Sequence, residues 1–312
     1  YINENLRETV ENGKFMETLQ IHDRYRDNWI KNSDRIDTKF VVARSFELAG
    51  AFGESEAIYR DTINRIYALK GTPEEKARQV IEKLPSVDEI NLRLANVTYS
   101  QMKYPQAYDY LKLVKEPAKL AEAQQIERVQ LAADLLERKN DFDSASRYLV
   151  DLLKEWTGVP ELIADPYLLL AQIEIKMGKK SDAIESLLKI DKIMDESGKV
   201  AVATHAKSLE TLGGLYLEAG KIPEAVEVYN KLLSKYEATR PLASIRYRLG
   251  EIHLKKDESK KASEIWNQLK DGKNDFWYKL AQEQLKSADF GGEYKKYIKR
   301  IPAMSSRKGD GK

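Results

Sequence analysis

Apolar residues recur at three- and four-residue steps along nearly the whole chain, the spacing that gathers them on one face of an α-helix. In residues 127–139, Val129, Leu131, Ala132, Leu135 and Leu136 form one stripe, with Arg128, Asp134, Glu137 and Arg138 outside it. The two-residue alternation of a half-buried strand is nearly missing. Punctuation is helical too. Gly178, Gly220 and Asn140 follow apolar-periodic runs, where a left-handed residue closes a helix. Ser181, Asp143 and Ser259 stand at helix starts. Pro73, Pro105, Pro166, Pro223 and Pro241 fall where periodic segments begin, and there a missing N–H is harmless. The pattern predicts about 17 helices of about 10–20 residues joined by short turns. Short turns make consecutive helices antiparallel neighbours, so the predicted unit is a helical hairpin.

The hairpins repeat. Ala107, Ala145, Ala183, Ala225 and Ala262 each stand about one turn into a helix, spaced by 38, 38, 42 and 37 residues. Twelve residues before them lie Ala95, Ala133, Ala171, Gly213 and Gly250, all small. Five before them lie Met102, Asn140, Gly178, Gly220 and Asp257, four of which are turn formers. Four after them lie Leu111, Leu149, Leu187, Tyr229 and Trp266, all large and apolar. Two antiparallel helices approach closely only where small side chains let their backbones meet. A large residue one turn on fills the space beyond, and the turn needs a residue that tolerates positive φ.

The unit Leu212-Gly213-Gly214-Leu215-Tyr216, followed by Gly220, Ala225 and Tyr229, resembles the tetratricopeptide repeat; Leu249-Gly250 with Ala262 and Trp266 follows it. The resemblance covers about residues 86–285. It departs from the family in its longer units, in lacking the early Trp and in lacking the late Pro from most units. It implies an all-α fold, a right-handed α-α superhelix or solenoid of antiparallel helical hairpins. Upstream, Ala43, Gly50 and Tyr59 fall in loosely matching places, and the step from Ala43 to Ala95 is 52 residues. Thr72-Pro73-Glu74-Glu75 reads as the start of an inserted helix that absorbs the surplus. The expected organisation is degenerate hairpins over 1–70, the inserted helix over 71–84, repeats over 85–287, a capping helix over 288–303 and a basic disordered tail over 304–312. At the carboxy-terminal end, 276–286 and 294–300 read as a terminal pair with Ala281 in the small position.

In this family the first helix of each hairpin lines the concave side. Carried over, the resemblance implies a groove of Leu92, Asn96, Tyr99, Gln130, Asp134, Glu137, Leu168, Gln172, Ile175, Glu210, Leu217, Tyr247, Glu251 and Leu254. Such a mixture suits a peptide or an amphipathic helix of a partner protein. Residues 166–177 are apolar nearly all round, as expected of a helix covered on both sides or touching a partner. The carboxylate clamp of some family members is not expected: of its positions only Asn96 matches, while Leu92, Gln130 and Leu131 replace its basic residues.

Composition narrows the chemistry. The chain has 312 residues, 42% hydrophobic and 33% charged, with a mean hydropathy of −0.58. It holds no apolar run near the roughly 18–20 residues of a membrane span. With no Cys there is no disulfide, thiolate zinc site or cysteine nucleophile. That usage fits an exported bacterial protein and a reducing cytosol equally. The first residue is Tyr, which suggests a processed chain or a piece of a longer one. His22, His205 and His253 are far apart, and His253 takes the aromatic position of a repeat. Gly214 to Lys221 misses the phosphate-loop spacing, Asn96-Val97-Thr98 is a sequon inside a helix, and Ser186 with Lys189 reads as a surface coincidence. No enzyme, metal or cofactor is expected. The net charge of +2 conceals a net +6 over residues 294–312. Lys295, Lys296, Lys299, Arg300, Arg307 and Lys308 offer an alternative contact for nucleic acid or an anionic membrane surface.

Overall fold

A computed structural model describes residues 2–27, 35–269 and 275–305, with side chains throughout except at 2–3, 275, 290, 292–295 and 297–305. The described residues form α-helices, two short 3-10 turns and their connections, with no strand among them. The chain divides into two compact units, Tyr1–Pro166 and Tyr167–Lys312.

The first unit contains α1 (Ile2–Glu11), α2 (Phe15–Tyr25), α3 (Ile36–Leu48), α4 (Phe52–Leu69), α5 (Pro73–Ile81), α6 (Val87–Ser100), α7 (Tyr104–Lys112), α8 (Glu122–Arg138) and α9 (Phe142–Glu155). Its hairpins are α1/α2, α3/α4, α6/α7 and α8/α9, with α4 against α6 and α6 against α8. The second unit holds α10 (Ala164–Lys176, from residue 167 on), α11 (Lys180–Ser197), α12 (Val202–Glu218), α13 (Ile222–Tyr236), α14 (Ala243–Lys255), α15 (Ser259–Asn267) and α16 (Asp275–Ser305). Here α12/α13 and α14/α15 pair, α11 lies on α12, and α16 packs on α14 and α15.

One turn closes every hairpin. Gly13, Gly50, Met102 and Asn140 in the first unit, and Gly178, Gly220 and Asp257 in the second, have φ between 58° and 79°. The N–H of the next residue then donates to the carbonyl five residues back, as from Lys103 to Thr98 (2.9 Å), Asp141 to Leu136 (2.9 Å) and Lys221 to Tyr216 (2.8 Å). This bond satisfies a carbonyl that the helix end would otherwise leave open. The second helix begins directly after it, so Asp141, not Asp143, caps α9 by accepting from the Ser144 N–H.

Behind each turn the small-against-small crossing closes the hairpin. Ala107, Ala145, Ala183, Ala225 and Ala262 are fully buried, as are Ala95, Ala133 and Ala171. A Cβ added to Gly213 would lie 2.3 Å from the Tyr229 ring, and one on Gly250 would lie 2.1 Å from Trp266. In these five hairpins the small column is Gly where the large residue is aromatic, and Ala where it is Leu111, Leu149 or Leu187; the α3/α4 hairpin differs, with Ala43 in the small column and Tyr59 in the large one. The α3/α4 hairpin keeps the register with Ser55 in place of the anchor Ala. Ser55 is buried, and its hydroxyl donates to the Ala43 carbonyl at 2.8 Å.

Two features depart from the sequence reading. Residues 276–286 and 294–300 belong to one continuous helix, α16, and not to a terminal pair. Gly291 and Gly292 weaken a helix but, without side chains, do not obstruct one. Ser186 is not on the surface: it is buried and donates to the buried carboxyl of Glu174 at 2.9 Å. Desolvation pushes that carboxyl above its ordinary range.

Helix α5 interrupts the period and buries none of its residues, leaving Val80 and Ile81 strongly exposed. The residue after it does structural work. Glu82 is buried and accepts the Ile36 N–H at 2.8 Å and the Asp37 N–H at 3.4 Å, capping the start of α3.

Candidate functional site

Side chains at 15, 11 and 8 residues before each anchor share one face of the first helix. In the first unit this face carries a polar ladder from α3 to α8. Arg93 of α6 is buried and grips Glu127 of α8 with both terminal nitrogens, at 3.0 and 2.7 Å. It also lies 3.6 Å from Glu47 of α3. Glu47 accepts the Tyr59 hydroxyl at 2.7 Å and pairs with Arg44. Burial opposes the charge of Arg93, but Glu127 and Glu47 outweigh it and raise its pKa. The amide of Asn96 donates to Glu127 at 3.0 Å and to the Leu92 carbonyl at 3.1 Å. Tyr99 donates to Asp134 at 2.5 Å, and Arg138 donates to both at 2.9 and 2.8 Å while lying over the Tyr99 and Tyr104 rings.

Beside this ladder a cleft of about 430 Å³ opens, with Arg7 and Val10 of α1, Phe40 and Arg44 of α3, Lys83, and Gln124 of α8 on its walls. Arg7, Phe40 and Arg44 hold the register of the predicted groove in hairpins to which the sequence reading did not carry it. Thr18 in α1/α2 and Ser55 in α3/α4 stand where the signal Ala would be, and this hid the match.

In the second unit the same face is more apolar. Leu168 and Ile175 of α10, Leu217 of α12 and Leu254 of α14 are half-buried, among half-buried Gln172, Glu210 and Glu251. Glu210 pairs with Lys207 at 3.3 Å, and Glu251 accepts the Tyr247 hydroxyl.

Two predicted lining residues do not line anything. Leu92 is fully buried in the core with Leu111, Leu131 and Leu135. Tyr247 is 7% exposed and stacked on Trp266 with ring centroids 5.6 Å apart. Both are large and apolar enough to be taken into the contact between successive hairpins. Gln130, Asp134 and Glu137 are half-buried on α8. Of the basic residues near the carboxy-terminal end, Lys296 is exposed on α16. The side chains of Lys295, Lys299 and Arg300, and residues Arg307 and Lys308 entirely, lie outside the described residues.

The sequence reading also missed a buried cluster in the second unit. His205 is fully buried, with Nδ1 2.5 Å from the Tyr236 hydroxyl and Nε2 2.8 Å from Asp191. Lys231 bridges Asp191 and Asp195 at 2.6 and 2.9 Å. Burial pushes the Asp191 carboxyl up, but the hydrogen bonds from His205 and Lys231 outweigh it and hold it below the usual range. The five residues come from three helices, α11, α12 and α13, and only the fold brings them together. Among the described residues no group of three or more His, Asp or Glu is arranged to hold a metal ion, and no helix is long and apolar enough to cross a membrane.

Residues 211–269 match the tetratricopeptide repeat family model, and they span the hairpin with Gly213 and Tyr229 and the one with Gly250 and Trp266. No curated protein matches the sequence. The apo form of RapI is similar in fold over 98% of this chain and 86% of its own, at 14% identity and a TM-score of 0.63. The C-terminal part of a tetratricopeptide repeat-containing protein from Cytophaga hutchinsonii is similar over 88% of this chain and 98% of its own, at 11% identity and a TM-score of 0.61. The apo form of the quorum sensor NprR from B. thuringiensis is similar over 91% and 86%, at 11% identity and a TM-score of 0.56. Residues 211–269 are therefore tetratricopeptide repeats, and the chain has the all-α hairpin fold of tetratricopeptide-repeat proteins.

Proposed function

We propose that the protein is a protein-interaction scaffold, not an enzyme, and that a peptide or amphipathic helix of a partner protein docks on the first-helix faces of its hairpins. The observation that carries this reading is the state of Leu168, Ile175, Leu217 and Leu254, large apolar side chains left half-buried on one register of α10, α12 and α14. Apolar anchors at helical spacing among carboxylates and amides suit an amphipathic partner with basic flanks. In the first unit, Phe40 beside Arg7 and Arg44 supports the same use of the face.

The test is crosslinking in the native cell from a photoreactive residue at position 172, repeated with Leu168→Asp. Capture that survives high salt and is lost in Leu168→Asp supports the reading. Capture indifferent to Leu168→Asp, but lost when residues 305–312 are removed or falling steeply with salt, assigns binding to the basic end instead.

A further inference from the structure

Seventeen residues before each anchor Ala the chain carries Ile90, Arg128, Pro166, Ser208 and Ile245. Ile90 and Ile245 are buried core residues at 0% and 1% exposure. In α8 a guanidinium takes that place. Its Nε is buried without a hydrogen-bond partner, and among the described residues no carboxylate pairs with it. Desolvation lowers its pKa, and the neighbouring titratable group that acts on it is the Tyr148 phenol. A half-buried cation left without a counter-ion is costly to the fold and demands an explanation.

A cavity opens beside it. Arg128 and Tyr148 form part of the wall of an open cavity of about 460 Å³ between α8, α9 and the 156–159 segment. That volume falls within the roughly 300–1,000 Å³ of small-molecule sites. The rest of the wall carries Glu122, Asp151, Glu155 and Trp156. None of these carboxylates forms an ion pair among the described residues. Trp156 is held by its indole N–H, which donates to the Val159 carbonyl at 3.1 Å. A Cβ on Gly158 would lie 2.7 Å from the Trp156 ring and 2.8 Å from a Glu122 oxygen, so the bare glycine lets an aromatic ring and a carboxylate converge. A carboxylate beside an indole is a place for a cation.

We propose that this cavity binds a small zwitterion, a free dibasic amino acid. Its carboxylate sits on Arg128, and its cationic groups sit on Glu122 against Trp156 and on Asp151 and Glu155. Three carboxylates lining one cavity with a single guanidinium repel a phosphate or a dicarboxylate and favour a ligand with more cationic than anionic charge. A planar guanidinium receives a single carboxylate through two parallel hydrogen bonds. The assignment does not depend on the groove proposed for the partner protein.

The experiment is calorimetric titration and thermal unfolding of the whole chain with L-arginine and L-lysine, using L-argininamide as the ligand lacking the carboxylate. The decisive variant is Arg128→Ile, which restores the residue found at this register in α6 and α14. Saturable binding of the amino acid is expected, at least about tenfold weaker for the amide, a difference of about 1.4 kcal/mol. Arg128→Ile should abolish binding while leaving the melting temperature unchanged or raised, and Glu122→Gln should weaken binding at least about tenfold. Two results overturn the proposal. One is no binding, or equal binding of the amide. The other is a lowered melting temperature in ligand-free Arg128→Ile, which makes the guanidinium a structural element.

Discussion

Tyr229 and Trp266 each occupy a space that exists only because the facing residue is glycine. Where the facing residue is Ala95, Ala133 or Ala171, the large side chain is leucine. In these five hairpins the two columns compensate in volume, whereas α3/α4 holds Ala43 with Tyr59. A methyl on Gly213 has nowhere to go, because the ring it meets is fully buried. Gly213→Ala is expected to cost about 2–3 kcal/mol, the upper range for overpacking. Adding Tyr229→Leu should recover most of that loss, since the double variant recreates the Ala/Leu pairing of three other hairpins. Urea unfolding of the four proteins in a double-mutant cycle measures the coupling, and strict additivity would refute the compensation.

The turn belongs to the helix pair, and its geometry recurs whatever residue fills it. Met102 adopts φ 61° where most hairpins have glycine or asparagine, and its side chain is 75% exposed. It carries left-handed strain without offsetting packing, so Met102→Gly should raise stability by about 1 kcal/mol, seen as a higher urea midpoint with unchanged slope. Helices are also tied by carboxylates, buried at Asp37 and half-buried at Asp191. Asp37 is pushed up by burial, but Arg35 and Arg7 outweigh this and hold it below its ordinary value; Asp191 is lowered likewise by His205 and Lys231. The unfolded chain binds protons at these groups before the folded chain does. Their contribution is therefore complete above the ordinary carboxylate range and is lost as the pH falls through it toward the lowered folded values. Urea midpoints from pH 7 down to 3 should fall, and Asp191→Asn should flatten part of that fall. The hairpins themselves were legible because small, turn and large columns are local signals at fixed spacing. The continuity of α16 was not, since Gly291-Gly292 permits both a break and a helix. The burial of Leu92 and Tyr247 was not legible either, because periodicity assigns a face to a helix without saying how deeply the neighbouring hairpin covers it. The His205 cluster joins residues up to 40 positions apart, which no local window contains.

Over the whole chain, the charged residues that make up a third of the sequence do two jobs. Most cover the outer faces of amphipathic helices, while a smaller set forms the Arg93 ladder and the Asp191 cluster. Stability in such stacks is a sum of hairpin terms and nearest-neighbour terms. Gly213→Ala should therefore speed hydrogen exchange in α12, α13 and the helices they touch, and leave α1 to α4 at their original rates. A uniform acceleration over the chain would contradict this. The steps between the left-handed residues of the hairpin turns vary from 37 to 52, yet the distance from turn to anchor never changes. Differences in length fall beyond the anchor: in α5, in 113–121 and in the second helices themselves, which run from 9 residues in α7 and α15 to 18 in α4 and α11. Related chains should accordingly differ by insertions at 71–84 and 113–121 and almost never between 98 and 107. This chain is thus a set of inherited cassettes, and foreign segments intended as tags or sensors belong at its connectors.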